Sequence, residues 1–113
     1  MKDEIESLLK RSIDLHVYAA PDIPERRMDA LETTRAAYEA GMGGFVLKSP
    51  NYLTSPLTYT LSQMYPGLEI YGSISLNSSV GGINPEAVAT AAQLGTKVVW
   101  MPTISAAFHL SKS

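Results

Sequence analysis

Four short apolar segments, separated by segments with helical patterns, constrain the fold of this chain more than any other feature. They span residues 13–19, 43–49, 68–76 and 96–103. Near-continuous apolar strands that alternate with helices are typical of a parallel sheet covered by helices on both faces. Successive segments begin about 25 to 30 residues apart, which matches the length of a strand-helix-strand unit. We therefore predict one α/β domain over residues 1–113.

The segments between the strands, and the one before them, carry the patterns of four helices. The predicted helices lie near the N-terminus, at 28–41, at 54–67 and from Asn84 to Gly95. Ser55 is predicted to cap the third helix, with Pro56 at its first position. The positions predicted to share one face are Ile5, Leu8, Leu9 and Ser12 in the first helix, Leu31, Thr34 and Tyr38 in the second, Leu57, Leu61, Met64 and Tyr65 in the third, and Val88, Ala91 and Ala92 in the fourth.

The length of the chain limits how its sheet can close. An eight-stranded α/β barrel needs ~250 residues, whereas this chain has 113 residues. The prediction is therefore a (βα)3β half-barrel related to the TIM barrel, or a small open parallel sheet with flanking helices. In a half-barrel the first and last strands keep unpaired apolar edges. We expect a second copy, as a homodimer, or a different partner chain to cover these edges.

Composition excludes several classes of function. The chain contains no cysteine, so disulfides, zinc-thiolate sites and a cysteine nucleophile are excluded. The formal net charge is −2 and basic residues form no cluster, so no nucleic-acid partner is expected. No segment reaches the roughly 20 apolar residues that cross a bilayer. The charged first segment does not resemble a signal peptide, and we expect a cytoplasmic protein.

Polar side chains lie at the ends of the predicted strands, where ligands of parallel α/β folds bind. His16 lies in the first strand, Lys48 ends the second, and Asn77 follows the third. Asp14 and His16 alternate with apolar residues, so the pattern predicts that both point to one face. His16 is either a metal ligand or a histidine whose imidazole is hydrogen-bonded within the fold.

Other polar groups also allow two interpretations each. Lys48 either binds an anion or acts as a base, or it extends its amine to water. Arg26 and Arg27 either clamp a substrate carboxylate or stay solvated. The glycines of SVGGINPEA precede a helix, which suits an anion held by backbone N–H groups or a plain loop with a helix cap. His109 has no partner nearby in the sequence.

Five strings together resemble the N-terminal half of an uncharacterised family of amidohydrolase-like, metal-dependent hydrolases. They are DLHVYAAPD, RRMDALE, EAGMGGFVLKS, GSISLN…VGGINPEAV and KVVWMPTISA. The resemblance covers the chain from about Ile13 to His109. It implies a barrel of the TIM type, a small-molecule substrate and a divalent metal at the carboxyl ends of the strands, with zinc as the expected ion.

The first strand departs from the pattern of that family, Asp-x-His-x-His. His16 matches the first histidine, whereas Tyr18 replaces the second, and a protonated phenol is a poor metal ligand. Pro50 stands where a further histidine is expected. The resemblance carries over His16 and, more weakly, His109 as metal ligands, and Lys48 as a ligand or an anion contact.

These observations leave three interpretations of function. The chain is a metal-assisted hydrolase that is active only when another chain completes the barrel, or a non-catalytic relic that binds a ligand or a partner, or a structural subunit. The missing ligands favour the relic, whereas the retained His16 favours the enzyme. The predicted site residues are His16 and His109 for the metal and Lys48, Asn77 and Arg27 for the substrate.

Overall fold

The computed structural model describes residues 1–105 and shows a mixed α/β fold in which all paired strands are parallel. The elements are α1 (Lys2–Lys10), β1 (Ile13–Val17), α2 (Ala30–Glu39), β2 (Gly44–Leu47), α3 (Ser55–Met64), β3 (Glu69–Tyr71), β4 (Ser73–Ser75), a 3-10 turn (Ser78–Val80), α4 (Pro85–Gln93) and β5 (Val98–Trp100). This order confirms the α/β class with flanking helices. Over the same range, no helix combines the length and the apolar character needed to cross a bilayer.

The strands form two small sheets. In the first sheet β2 lies between β1 and β3, and in the second sheet β4 pairs with β5. The register places Phe45 of β2 opposite Ile70 of β3, and Ile74 of β4 opposite Val99 of β5. Because the pairing is parallel, each sheet gathers the carboxyl ends of its strands along one edge. The described strands do not close into a barrel.

The third predicted strand is divided at Gly72 into β3 and β4. The Thr54 side chain lies between the end of β2 and the start of β4. Its hydroxyl donates to the Leu47 carbonyl oxygen at 2.8 Å and accepts the backbone N–H of Ser73 at 2.9 Å. The Ser73 hydroxyl donates to the same Leu47 oxygen at 2.7 Å. A Cβ at position 72 would collide with Ser55 at the start of α3, so this approach requires glycine. The strand predicted over residues 68–76 is therefore divided in two, and side-chain hydrogen bonds connect its second part, β4, to β2.

Two apolar clusters hold the helices against the sheets. The buried members of the first are Ala19, Ala30, Ala37, Phe45, Leu47, Leu61, Leu68 and Ile70. Those of the second are Ile74, Leu76 and Ala91. Full burial of one large apolar side chain stabilises a fold by about 1.5–3 kcal/mol, so these clusters supply most of the packing energy.

The predicted helix faces are correct in part. Thr34, Leu61 and Ala91 are buried as predicted, whereas Leu31, Tyr38, Met64 and Ala92 are exposed. In α2 the small residues Ala30, Thr34 and Ala37 face the sheet, because small side chains let a helix approach the strands closely. The larger residues of the predicted stripe are turned away from the core for the same reason.

Side-chain caps fix the first residues of two of the helices. Asp29 accepts the backbone N–H of Glu32 at 2.7 Å, and Glu32 accepts that of Asp29 at 3.4 Å, which forms a capping box at α2. Asn84 caps α4 through the N–H of Glu86 at 3.0 Å, so the loop-and-cap interpretation describes the glycine loop. At α3 the N-cap is Thr54, and the predicted cap residue, Ser55, is the first helical residue.

The outer strands and α1 are poorly covered. Four of the five residues of β1 are exposed, and α1 has no buried residue. Leu15 of β1 is 61% exposed, and Val99 in the last strand, β5, and Met101 just after it are also exposed. The chain between residues 1 and 105 therefore leaves apolar surface beside its first and last strands.

Candidate functional site

Side chains from three strands meet at the carboxyl ends of the two sheets. His16 lies near the end of β1, Lys48 follows β2 directly, and Trp100 ends β5. The Lys48 Nζ atom lies 3.2 Å from His16 Nε2 and 4.4 Å from the centre of the Trp100 ring. The His16 and Trp100 rings meet edge to face with 5.6 Å between their centres. We call His16, Tyr18, Lys48 and Trp100 the strand-end cluster.

An irregularity in β1 turns His16 towards this cluster. Asp14 lies opposite Phe45 and Val17 lies opposite Leu47, so three steps along β1 match two along β2. A bulge of this kind interrupts the alternation of side chains. Asp14 and Val17 therefore share the side of Phe45, while His16 contacts Lys48. The prediction that Asp14 and His16 point to one face is wrong, because it assumed a regular strand.

Lys48 is the most deeply buried charged residue of the cluster. It is 5% exposed, so the interpretation in which its amine extends to water does not describe it. The ion pairs of residues 1–105 are Arg26–Asp22 and Arg35–Glu39, and neither includes Lys48. Its amine lies between His16 and the face of Trp100, an arrangement that favours a cation through the ring quadrupole. Lys48 therefore brings a buried cationic group to the strand ends without a carboxylate beside it.

Tyr18 occupies the position of the second histidine in the Asp-x-His-x-His pattern. Its Oη atom lies 3.2 Å from His16 Nε2, the atom that Lys48 Nζ also approaches. Its ring meets the His16 ring edge to face at 4.9 Å, and the Arg26 guanidinium lies 4.4 Å from the centre of the Tyr18 ring. Tyr18 thus supports His16 and connects the cluster to the loop that follows β1.

Three buried polar side-chain atoms in the described chain lack a hydrogen-bond partner. They are Trp100 Nε1, Ser75 Oγ and Arg26 Nε. Ser75 is 1% exposed and is the register partner of Trp100 in the second sheet, so both side chains project from the same face. Buried polar groups are normally paired. Trp100, whose ring lies against the Lys48 amine, therefore shares a face with a second unpaired polar group.

Asp22 adjoins the cluster through Arg26, and its carboxylate already has several hydrogen-bond partners. Asp22 accepts the N–H of Asn51 Nδ2 at 2.9 Å, the backbone N–H of Ile23 at 2.8 Å and Arg26 Nη2 at 3.3 Å. Burial acts to raise the pKa of Asp22, but hydrogen bonds from Asn51, Ile23, Ser49 and Arg26 together outweigh it, so the pKa is lowered. Asp22 is therefore an ionised partner of Arg26, and it ties the loop after β1 to the loop after β2.

The other predicted site residues lie elsewhere. Asn77 is fully buried, donates to the Pro50 carbonyl oxygen at 2.9 Å and accepts the backbone N–H of Thr103 at 2.8 Å. Arg27 is exposed and lines a pocket beside α2 with Asp14. His109 lies outside the described residues. Substrate contacts of Asn77 and Arg27 stay predictions, and the structure does not bring either residue into the cluster.

The described residues do not fit a metal site. No group of three His, Asp or Glu side chains in the range 1–105 is arranged to hold a metal ion, whereas zinc sites use three or four protein ligands. His16 Nε2, one of the two ring nitrogens that could bind a metal, is approached instead by the amine of Lys48 and the hydroxyl of Tyr18. A lysine ammonium beside that nitrogen opposes a second cation there.

Sequence reasoning missed Trp100 and Ser75 as parts of the site. Both were assigned to apolar strand segments, where a tryptophan and a serine have no distinct functional signal. Alternation gave a usable signal, because Ser73 and Ser75 share one face of β4, and Val98 and Trp100 share one face of β5. A face with two serines beside a strand-end lysine would have indicated a polar site.

Comparison with known proteins gives one match. A search of curated proteins finds no similar protein, and a search of solved structures finds no similar structure. A family model described as a family of unknown function (DUF6282) matches residues 11–113. The match includes the strands, α2 to α4 and the whole strand-end cluster. The chain therefore belongs to the DUF6282 family.

Proposed function

We propose that this chain is one half of a barrel-like α/β assembly, related to the TIM barrel, which binds a small molecule at the strand-end cluster. The observation that carries the proposal is the convergence of His16, Lys48 and Trp100 from three strands. Ligands of parallel α/β folds bind at the carboxyl ends of the strands. Because the first, second and last strands all contribute, the site depends on the whole fold and not on one loop.

Binding without metal chemistry is supported by the surroundings of His16. Its Nε2 atom has the Lys48 amine and the Tyr18 hydroxyl each at 3.2 Å. In the tautomer with the proton on Nδ1, Nε2 would accept from these groups, so its lone pair would be used within the cluster. This use favours the ligand-binding interpretation over the hydrolase for the chain by itself.

The assembly part of the proposal is supported by the outer strands. Over residues 1–105, β1 and β5 each pair along one edge only. Leu15, Val99 and Met101 leave apolar surface beside those edges. A second copy that pairs its outer strands there would extend the ring of strands and form a two-fold dimer, and a different chain with matching strands is the other occupant. A cytoplasmic location remains part of this proposal.

The test uses the one tryptophan of the chain as a marker. Trp100 is the single tryptophan, so the 15N-labelled full chain gives one indole N–H resonance. We expect members of a library of small polar aromatic fragments to shift this resonance in a saturable manner. An indole resonance that no fragment moves, in a protein whose other resonances show it to be folded, would contradict the proposal.

A metal-dependent hydrolase completed by another chain is the second candidate. It is favoured by the position of His16, whose imidazole lies at the strand end where the resemblance implies a divalent ion such as zinc. His16 and His109 would be its metal ligands, and Lys48, Asn77 and Arg27 would contact the substrate. Elemental analysis of the purified full chain separates the candidates. Stoichiometric zinc or manganese that is lost in His16→Ala would support the metal-dependent candidate and contradict the metal-free binding module.

A further inference from the structure

We infer that the ligand of the strand-end cluster is an oxyanion, a carboxylate or a phosphate group, bound by Lys48 with the help of Trp100 and Ser75. The inference rests on the proposed binding function and adds the chemical class of the ligand. It starts from the hydrogen-bonding capacity of the side chains on this face, which donate far more than they accept.

Lys48 and Trp100 are donors only. A lysine ammonium has three N–H donors and no acceptor, and an indole has one N–H donor and no acceptor. One Lys48 donor is directed at His16 Nε2. The others have no carboxylate within 4.0 Å in the described chain, and Trp100 Nε1 has no partner. Burying such donors without an acceptor costs free energy.

Nearby protein acceptors are used elsewhere. Asp22 receives Asn51, Ile23 and Arg26, and Asp14 is turned to the other side of the sheet by the bulge in β1. The Ser75 hydroxyl lies opposite Trp100 in register and is itself unpaired. The face therefore presents an ammonium, an indole N–H and a hydroxyl, with no fixed negative charge among the described residues.

An oxyanion satisfies this set better than a neutral ligand. A carbonyl oxygen would accept from Trp100 or Ser75 but would leave the charge of Lys48 uncompensated. A carboxylate or a phosphate supplies both the acceptor oxygens and the charge, and hydrogen bonds between charged partners are the stronger class. Lys48 is 5% exposed, whereas the His16 ring above it is exposed. A ligand would therefore reach the amine past His16.

Trp100 fluorescence tests the inference directly, because no other tryptophan contributes. The full chain is titrated with benzoate, inorganic phosphate and benzamide in a buffer of low ionic strength. Benzamide is a neutral compound of nearly the same shape as benzoate. We expect saturable binding of at least one oxyanion and binding of benzamide that is at least tenfold weaker. The comparison of benzoate with phosphate decides which oxyanion the site prefers.

The variant Lys48→Met removes the charge and keeps a long side chain. It should weaken oxyanion binding by tenfold or more, whereas Lys97→Met, at the exposed position just before β5, should leave it unchanged. Ser75→Ala removes only the unpaired hydroxyl and should weaken binding by a few fold. This second variant tests the site independently if Lys48→Met fails to fold.

Three results would overturn the inference in different ways. Equal binding of benzamide and benzoate would show a ligand site without oxyanion preference, so the proposed function would survive and the inference would fail. No effect of any probe on Trp100 would also reject the inference, and the fragment experiment would then decide the proposed function separately. Oxyanion binding that persists in Lys48→Met and in Ser75→Ala would place the anion elsewhere.

Discussion

β1 and β2 lie side by side in one sheet, yet their surroundings differ sharply. All four residues of β2 are buried, whereas four of the five residues of β1 are exposed. β1 contains Asp14 and His16 and β2 is wholly apolar, but composition does not account for the whole difference, because Leu15 of β1 is also exposed. β2 has a neighbour on each edge and β1 has one. Position in the sheet therefore contributes to burial, and the residues that the structure describes leave β1 largely uncovered.

The largest expected effect on stability comes from truncating a buried side chain of β2. Phe45 is 1% exposed at the centre of the first apolar cluster, and Phe45→Ala should lower the free energy of unfolding by about 3–5 kcal/mol because it leaves a cavity. The matched change Leu15→Ala, in exposed β1, should cost under about 0.5 kcal/mol. Urea unfolding at low protein concentration measures both. Equal losses would mean that β1 is buried in solution.

A second effect concerns the connection of β2 to the second sheet. Thr54→Val keeps the shape of the side chain but removes the hydroxyl that contacts Leu47 and Ser73. It removes the hydroxyl that accepts the buried backbone N–H of Ser73, so the free energy of unfolding should fall by about 1–3 kcal/mol. Thr60→Val, at an exposed position of α3, is the control and should change little. A neutral Thr54→Val would show that the two sheets do not need this link.

A third effect tests the tie between the ends of β1 and β2. The pKa of Asp22 is lowered in the folded state, so its contribution to stability is present above the unfolded value of about 3.9. That contribution is lost as pH falls through the lower folded pKa. Wild type should exceed Asp22→Asn by about 1–2 kcal/mol at neutral pH, and the difference should shrink in acid.

The measurement is urea unfolding of wild type and Asp22→Asn between neutral and strongly acidic pH. Glu25→Gln removes an exposed acid from the same loop and serves as the control. A difference between wild type and Asp22→Asn that stays constant over this range would contradict a carboxylate role for Asp22.

The smallest effect on folding addresses the exposed strand itself. Leu15→Lys places a charge beside the free edge of β1, and the stability of the monomer should change by less than about 0.5 kcal/mol. Light scattering of the wild type at micromolar concentration should show a dimer, which Leu15→Lys dissociates. Gln63→Lys adds the same charge on exposed α3 and should leave the dimer intact. A wild type that remains a monomer would remove the second copy from the proposal.

Much of the fold could be predicted from the sequence, because the spacing of apolar residues and the glycines at helix ends are signals that lie within each segment. The four strand segments and four helices are present, and α4 begins after Asn84 as predicted. The break at Gly72 was missed because it depends on Thr54, which is distant in sequence and inserts from the side. The exposed face of α2 was misassigned because packing distance, and not hydrophobicity, selects its small residues.

For the candidate site, the sequence predicted the proximity of two residues. His16 and Lys48 were both placed at the strand ends, and the structure brings their nitrogens to 3.2 Å. The bulge in β1 was not visible in the alternation of Asp14 and His16, because register depends on the partner strand. Trp100 was absent from the prediction because contact between the first and last strands arises only when the sheets are assembled. The metal interpretation stays a prediction.

The division at Gly72 has a consequence for how the chain is made. A nascent polypeptide that has emerged as far as Tyr71 already contains β1, β2 and β3, so the first sheet is complete in sequence. β4 must wait for β5, which is synthesised later. We expect amides of β2 to gain protection from hydrogen exchange before those of β4 during synthesis on the ribosome, and simultaneous protection would show that the two sheets fold as one.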